Sequence, residues 1–226
     1  MPVIYNKMPQ QKNIQKIMRI LEKEYKQERR TTLNSMRSKE NKENAFKILI
    51  SCLLSLRTRD ENTEKVTKNL FAVAQTPEEI IKLPIKKLEK LIFSSGYYKN
   101  KARTLKHVSS VILERFKGKV PDNKEELLSI KGIGPKTANV VLCFAFDKNA
   151  IPVDVNVHRI ANRLGWVKEK TPEKTEKALE KVLPEKYWKK INGLFILHGR
   201  AVCLPRKPKC SICVIEQYCG KIGILS

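Results

Sequence analysis

Cys203, Cys210, Cys213 and Cys219 follow the order C-x6-C-x2-C-x5-C within a span of seventeen residues. Four thiolates this close make a closed four-ligand metal site, and both zinc and an iron–sulfur cluster accept four cysteines. Zinc ribbons and fingers usually pair two C-x2-C knuckles. Here one C-x2-C stands inside longer loops, which favours the larger [4Fe–4S] cube. Arg206, Lys207 and Lys209 fall in the loop between the first two of these cysteines. A loop fixed by ligands and carrying three cations reads as a phosphate-contact surface. Cys52 and Cys143 sit in apolar helical stretches and read as core residues.

A second group of residues begins at Leu127-Leu128-Ser129-Ile130-Lys131-Gly132-Ile133-Gly134-Pro135-Lys136-Thr137-Ala138. Gly132 and Gly134 allow a tight turn with positive φ and close backbone approach. Pro135 suits the first position of a new helix, which the apolar run carries to about Phe146. The free N–H groups at that helix start make an anion site, and a DNA phosphate is its natural occupant. The segment resembles the helix-hairpin-helix motif of DNA-binding proteins. Lys136 lies in the helix's first turn, where the dipole disfavours a further cation. A neutral lysine amine is a nucleophile and can form a Schiff base with a sugar aldehyde. The plainer reading is a lysine paired with phosphate, and the hairpin alone leaves the two level.

Eighteen residues further on, Asp154 precedes the apolar-periodic Val155, Val157 and Ile160. It is therefore expected at a helix N-cap or first turn, with the chain returning near the hairpin so that the carboxylate faces Lys136 across a cleft. A carboxylate there can stabilise an oxocarbenium-like sugar as a glycosidic bond breaks, as in glycoside hydrolysis. Spacing does not separate cap from catalyst, and one residue can serve as both.

The elements that must position these groups are helical throughout. Ile14, Ile17, Met18 and Leu21 mark an amphipathic helix over about 12–28, followed by a polar stretch from Gln27 to Asn44. Helices are expected over Ala45–Leu56, Asn62–Ala74 and Asn100–Phe116. Thr76-Pro77-Glu78-Glu79 reads as a capped helix start, and Asp122 with Glu125 has capping-box spacing. Without a strand run or hairpin turn, the fold class is all-α.

The chain has 226 residues and a net charge of +23, with 46 Lys and Arg against 23 Asp and Glu. Self-repulsion of that size points to a polyanionic partner, nucleic acid before an acidic membrane surface. A Lys-rich cytosolic protein is the bland alternative. No apolar run approaches the ~20 residues of a membrane span. The start Met1-Pro2-Val3-Ile4 lacks the form of a secretory signal, so the cysteines are expected reduced or metal-bound.

Taken together, Leu128 to Val141, Val153-Asp154 with Arg159, and Leu197-His198-Gly199-Arg200 leading into the four cysteines resemble the endonuclease III family of DNA glycosylase/AP lyases. The likeness runs from about Ala45 to Cys219. It implies two domains: a six-helix barrel with the hairpin over 39–148, and a cluster domain built from 1–38 and 149–226. It also implies a [4Fe–4S] cluster on Cys203, Cys210, Cys213 and Cys219. Lys136 matches the family's catalytic lysine and Asp154 its aspartate. Gly132, Ile133, Gly134 and Thr137 match the phosphate-gripping hairpin. Leu54-Ser55-Leu56-Arg57 matches the segment entering DNA near the lesion, with Arg57 where bacterial members commonly have Gln. Gly96-Tyr97-Tyr98-Lys99 matches the wedge loop and puts Tyr97 at the wedge, while Asn156 stands where many members have His. The implied activity is excision of oxidised pyrimidines from duplex DNA, then β-elimination, by a monomer in the cytoplasm at the nucleoid. The rival readings are a thymine- or adenine-mismatch glycosylase and a non-catalytic DNA-binding module.

Overall fold

A computed structural model describes residues 11–26 and 45–224. The polar stretch 27–44 and the extreme N-terminus lie outside the described residues. Among those described there is no strand. No helix among them is long and apolar enough to cross a membrane. The chain divides into two compact units, with residues 45–150 in one and residues 11–26 and 151–224 in the other.

The 45–150 unit begins with α1 (Ala45–Ser55), buried on most sides by Phe46, Ile48, Leu49, Ile50, Leu53 and Leu54. It continues through α2 (Asp60–Phe71), α3 (Pro77–Lys82), α4 (Ile85–Leu91), α5 (Tyr98–Phe116), α6 (Lys124–Ser129) and α7 (Pro135–Ala145). Helix α1 packs on α2, α5 and α7, and α3 lies along α5. The apolar stripe of α5, Leu105, Val108 and Ile112, is fully buried. Truncating one such core leucine to alanine costs about 2–5 kcal/mol.

Caps set the helix starts. Thr76 Oγ1 accepts from Glu79 N at 3.2 Å while the Thr76 amide donates to Glu79 Oε2 at 3.1 Å. With Pro77 at the first position, α3 starts where the sequence places it. Helix α6 starts one residue later than the expected Asp122–Glu125 pairing. Asn123 is its cap, accepting from Glu126 N at 2.8 Å and donating Nδ2 to Glu126 Oε2 at 2.6 Å. Asp122 is engaged elsewhere, 2.9 Å from Lys148 Nζ.

The second unit holds α8 (Gln11–Glu24), α9 (Val155–Arg163), α10 (Pro172–Val182) and α11 (Trp188–Ala201). Helix α8 buries Ile14, Ile17, Met18 and Leu21, the stripe read from its periodicity. It packs on α11, and α9 packs on both α10 and α11. Trp166 and Phe195 meet in this core, ring centres 5.6 Å apart. After α11 come two short 3₁₀ turns, Cys210–Ile212 and Glu216–Tyr218.

Candidate functional site

The hairpin lies between α6 and α7. Gly132 has φ +102°, and a Cβ there would sit 2.7 Å from Thr104 Cγ2. Glycine is required at that position by both conformation and space. Gly134 differs from expectation. It caps α7 in extended conformation, and an added Cβ would meet nothing within 4 Å. Ile133 between them is a peg: its side chain is 5% exposed and its amide donates to Ile130 O at 3.0 Å. The first bond of α7 runs from Ala138 N to Gly134 O at 3.0 Å. The Lys136 and Thr137 amides therefore precede it, at a helix start with no side-chain cap.

Lys136 is half-buried, its Nζ 3.7 Å from Cys52 Sγ. That sulfur lies 3.7 Å from Thr137 Oγ1 as well. Thr137 is 2% exposed, so its hydroxyl faces Cys52 and not solvent. As side chains, Ile133 and Thr137 thus shape the turn rather than reach outward. Sulfur is a weak acceptor. The amine of Lys136 is held by a light contact at the edge of an apolar core.

Arg57 and Tyr97 lie on the turns after α1 and before α5. Both are exposed non-glycine residues in the left-handed region, with φ of +53° and +58°. The Arg57 guanidinium carbon is 5.5 Å from the centre of the Tyr97 ring.

In the other unit, Asp154 caps α9. Its Oδ1 accepts from the Asn156 and Val157 amides at 2.8 and 2.9 Å, and its Oδ2 accepts from Asn156 Nδ2 at 3.1 Å. Asn156 Oδ1 in turn accepts from Arg159 Nη2 at 2.9 Å. A Cβ on Gly199 would lie 2.6 Å from that Asn156 oxygen and 2.8 Å from Arg159 Nη2, so glycine makes room for the chain of bonds.

Cys203, Cys210, Cys213 and Cys219 line one pocket, walled also by Ile160, Leu164, Val202 and Ile215. Arg163 Nη1 reaches Cys203 Sγ at 3.3 Å and the Leu204 carbonyl at 2.6 Å, and Nη2 reaches Pro205 O at 2.8 Å. Burial pushes the Cys213 and Cys219 thiols up, and the neighbouring cysteines add to it. A metal centre reverses that balance, because it binds the thiolate. Among the described residues no three His, Cys, Asp or Glu side chains converge as around a single ion. Four thiols lining one pocket are the donor set of a thiolate-bound metal centre, an iron–sulfur cluster among them. His198 stands beside them, buried, with Nε2 3.6 Å from Cys213 Sγ and Nδ1 3.0 Å from the Tyr25 hydroxyl. Burial holds this imidazole down at about 4. Arg206, Lys207 and Lys209 are exposed on the loop that Arg163 pins.

Several of these residues escape a reading of sequence alone. Lys101, buried and donating Nζ to the Leu54 carbonyl at 2.7 Å beneath the turn that carries Arg57, does carry a signal: it falls on the α5 stripe, in register with Leu105, Val108 and Ile112. The Cys52 contact with Lys136 carried none, since an apolar helix neighbour gives no hint of what its sulfur touches.

The family model described as HhH-GPD superfamily base excision DNA repair protein matches residues 50–185. The iron–sulfur binding domain of endonuclease III matches residues 203–219. Endonuclease III of Thermotoga maritima is 51% identical over 174 residues, 77% of this chain and 82% of its own. A solved non-covalent endonuclease III–DNA complex aligns with TM-score 0.81 and 32% identity, over 93% of this chain and 95% of that one. A thermostable thymine-DNA glycosylase aligns with TM-score 0.80 and 26% identity, over 93% and 96%. The family-model match over more than half of the chain makes this a base excision DNA repair protein of the HhH-GPD superfamily. Within that class it belongs to the endonuclease III family. It is a DNA glycosylase and AP lyase, its partner is DNA, and its cofactor is a [4Fe–4S] cluster.

Proposed function

We propose that the enzyme excises oxidised pyrimidines from duplex DNA, acting as a monomer on nucleoid DNA in the cytoplasm, with Lys136 as nucleophile and Asp154 as the assisting carboxylate. The sugar carbon is unreachable inside the duplex, so the damaged nucleotide is first flipped out. Lys136 Nζ attacks C1′, and the bond from C1′ to the base breaks as the base departs. The carboxylate of Asp154 stabilises the positive charge that develops on the sugar. The amine, having lost one proton, then opens the sugar ring: the C1′–O4′ bond breaks, O4′ takes up a proton as a hydroxyl, and C1′ becomes doubly bonded to nitrogen in a protonated Schiff base, which acidifies C2′. Loss of a C2′ proton and of the 3′ phosphate oxygen cuts the strand on the 3′ side.

The observation that carries this reading is Lys136 itself. Its amine lies in the first turn of a helix with no side-chain cap, and among the described residues it meets the weak acceptor Cys52 Sγ at 3.7 Å. An amine tied up by a carboxylate could not serve as nucleophile. The open space at Gly134 supports a phosphate seat at the same helix start. Cys203, Cys210, Cys213 and Cys219 would hold the cluster, and the cluster when bound supplies metal–sulfur crosslinks for the loop. Arg206, Lys207 and Lys209 contact the DNA backbone from that loop. Arg57 and Tyr97 enter the duplex at the lesion.

The test uses purified holoenzyme on duplexes bearing an oxidised pyrimidine, a thymine mismatch or an adenine mismatch. Base release coupled to strand cutting on the first substrate is expected. Release of thymine or adenine from a mispair without cutting would establish the mismatch reading instead. Binding with no release on any substrate would establish a non-catalytic module.

A further inference from the structure

Lys101 is 8% exposed and stands on the buried stripe of α5. An ammonium in that place must satisfy its three donors without bulk water. It does so on two different turns. Nζ donates to the Leu54 carbonyl and to Thr58 Oγ1, each at 2.7 Å, and to Ser95 Oγ at 2.7 Å. Ser95 Oγ also bonds the Leu54 carbonyl at 3.2 Å and pairs with Thr58 Oγ1 at 3.1 Å. The result is a closed net of neutral oxygens around one cation.

The two turns so joined carry Arg57 and Tyr97. Each holds a left-handed backbone that a non-glycine residue adopts only when its surroundings impose it. Gly96 permits their contact, because a Cβ there would lie 2.7 Å from the Arg57 carbonyl oxygen. Left to themselves, the turns would be ordered only on entering DNA, at an entropic cost to binding.

We propose that Lys101 is a positioning residue for lesion recognition: its ammonium ties the 54–58 turn to the 95–97 turn and presents Arg57 and Tyr97 to the duplex as a single preformed probe. This rests on the reading of those two side chains as DNA contacts. Lys101 touches no DNA. It acts through the geometry of the other two.

The variant Lys101→Met keeps length and most volume while removing the three donors. Two measurements separate the tie from its use. The first is amide hydrogen exchange over 55–58 and 95–98 in the free holoenzyme. The second is single-turnover base release at saturating enzyme, for K101M, for Arg57→Ala with Tyr97→Ala, and for the triple variant. Exchange in both segments should quicken at least tenfold in K101M. Base release should fall about tenfold in K101M, at least as far in the double variant, and no further in the triple. Unchanged exchange in K101M would overturn the tie, and losses that multiply in the triple variant would show a general structural role instead. A double variant that releases base at the wild-type rate would overturn the DNA-contact reading, and with it the use of the tie, whatever the exchange result.

Discussion

Arg159 reaches the carbonyl oxygen of Cys203 twice, through Nε at 3.3 Å and Nη2 at 2.9 Å. The same Nη2 lies 3.3 Å from the Gly199 carbonyl and 2.9 Å from Asn156 Oδ1. Asn156 Nδ2 closes the path onto Asp154 Oδ2. The first cysteine of the iron–sulfur segment and the carboxylate that caps α9 therefore hang on one guanidinium. Asn156 is the middle link.

Removing that link should be felt at Asp154 first. Asn156→Ala leaves the carboxylate its two backbone donors and takes away the third. Single-turnover base release should fall on the order of tenfold, the size of about 1.4 kcal/mol, with iron content near wild type. Asp154→Asn should keep DNA binding and lose most base release. Iron analysis beside rate measurement checks both. An Asn156→Ala protein that loses iron and keeps its rate would place the residue in the cluster loop alone.

The four cysteines should behave as one unit. The holoenzyme should be brown, with broad absorption at the violet edge of the visible range, and should contain iron with acid-labile sulfide. Cys213→Ser should lose iron and solubility together, since burial first and the neighbouring cysteines second push this half-buried thiol up, and only a metal centre holds it as thiolate. A colourless protein with one stoichiometric zinc would contradict the cluster.

Salt dependence tests the basic loop. Arg206, Lys207 and Lys209 are exposed, so they are free to meet phosphate as charges. Each neutralised phosphate contributes roughly 0.9 to the slope of log affinity against log salt. Changing all three to Gln should flatten that slope by up to about 2–3, equally for damaged and undamaged duplexes. An unchanged slope in titrations of both would show the loop pointing away from DNA.

Burial holds Lys101 at about 8, against an ordinary 10.5. Between those values the unfolded chain binds more protons than the folded one, so stability rises with pH across that window. Below it, both states are charged and the cost of burying the ammonium is fully present. Lys101→Met has no such cost. The stability of K101M relative to wild type, read from denaturant unfolding, should therefore fall as pH rises from about 8 to 10.5. A difference that stays flat would contradict the burial of a charged amine.

The sequence was most legible where a residue's role depends on its near neighbours. The stripe of α8, the Thr76–Glu79 box and the Gly132 turn all follow from spacing of four residues or fewer. Legibility failed where a distant partner competes. Asp122 looked like a cap because of Glu125, but Lys148 claims it from 26 residues away and the cap passes to Asn123. Thr137 sits in a hairpin whose resemblance suggests phosphate binding, yet its hydroxyl turns toward Cys52, 85 residues earlier. Lys101 is legible only in part: its register with the apolar stripe of α5 marks it among 46 Lys and Arg, but its three acceptors, up to 47 residues away, leave no trace in the local sequence.

The most direct measurement of the central claim is borohydride trapping on a duplex with an abasic site, followed by mass mapping of the crosslinked peptide. The reduced adduct should sit on Lys136, and Lys136→Gln should abolish both trapping and strand cutting while keeping the fold and most DNA affinity. An adduct on another amine, or wild-type cutting by Lys136→Gln, would contradict Lys136 as the nucleophile.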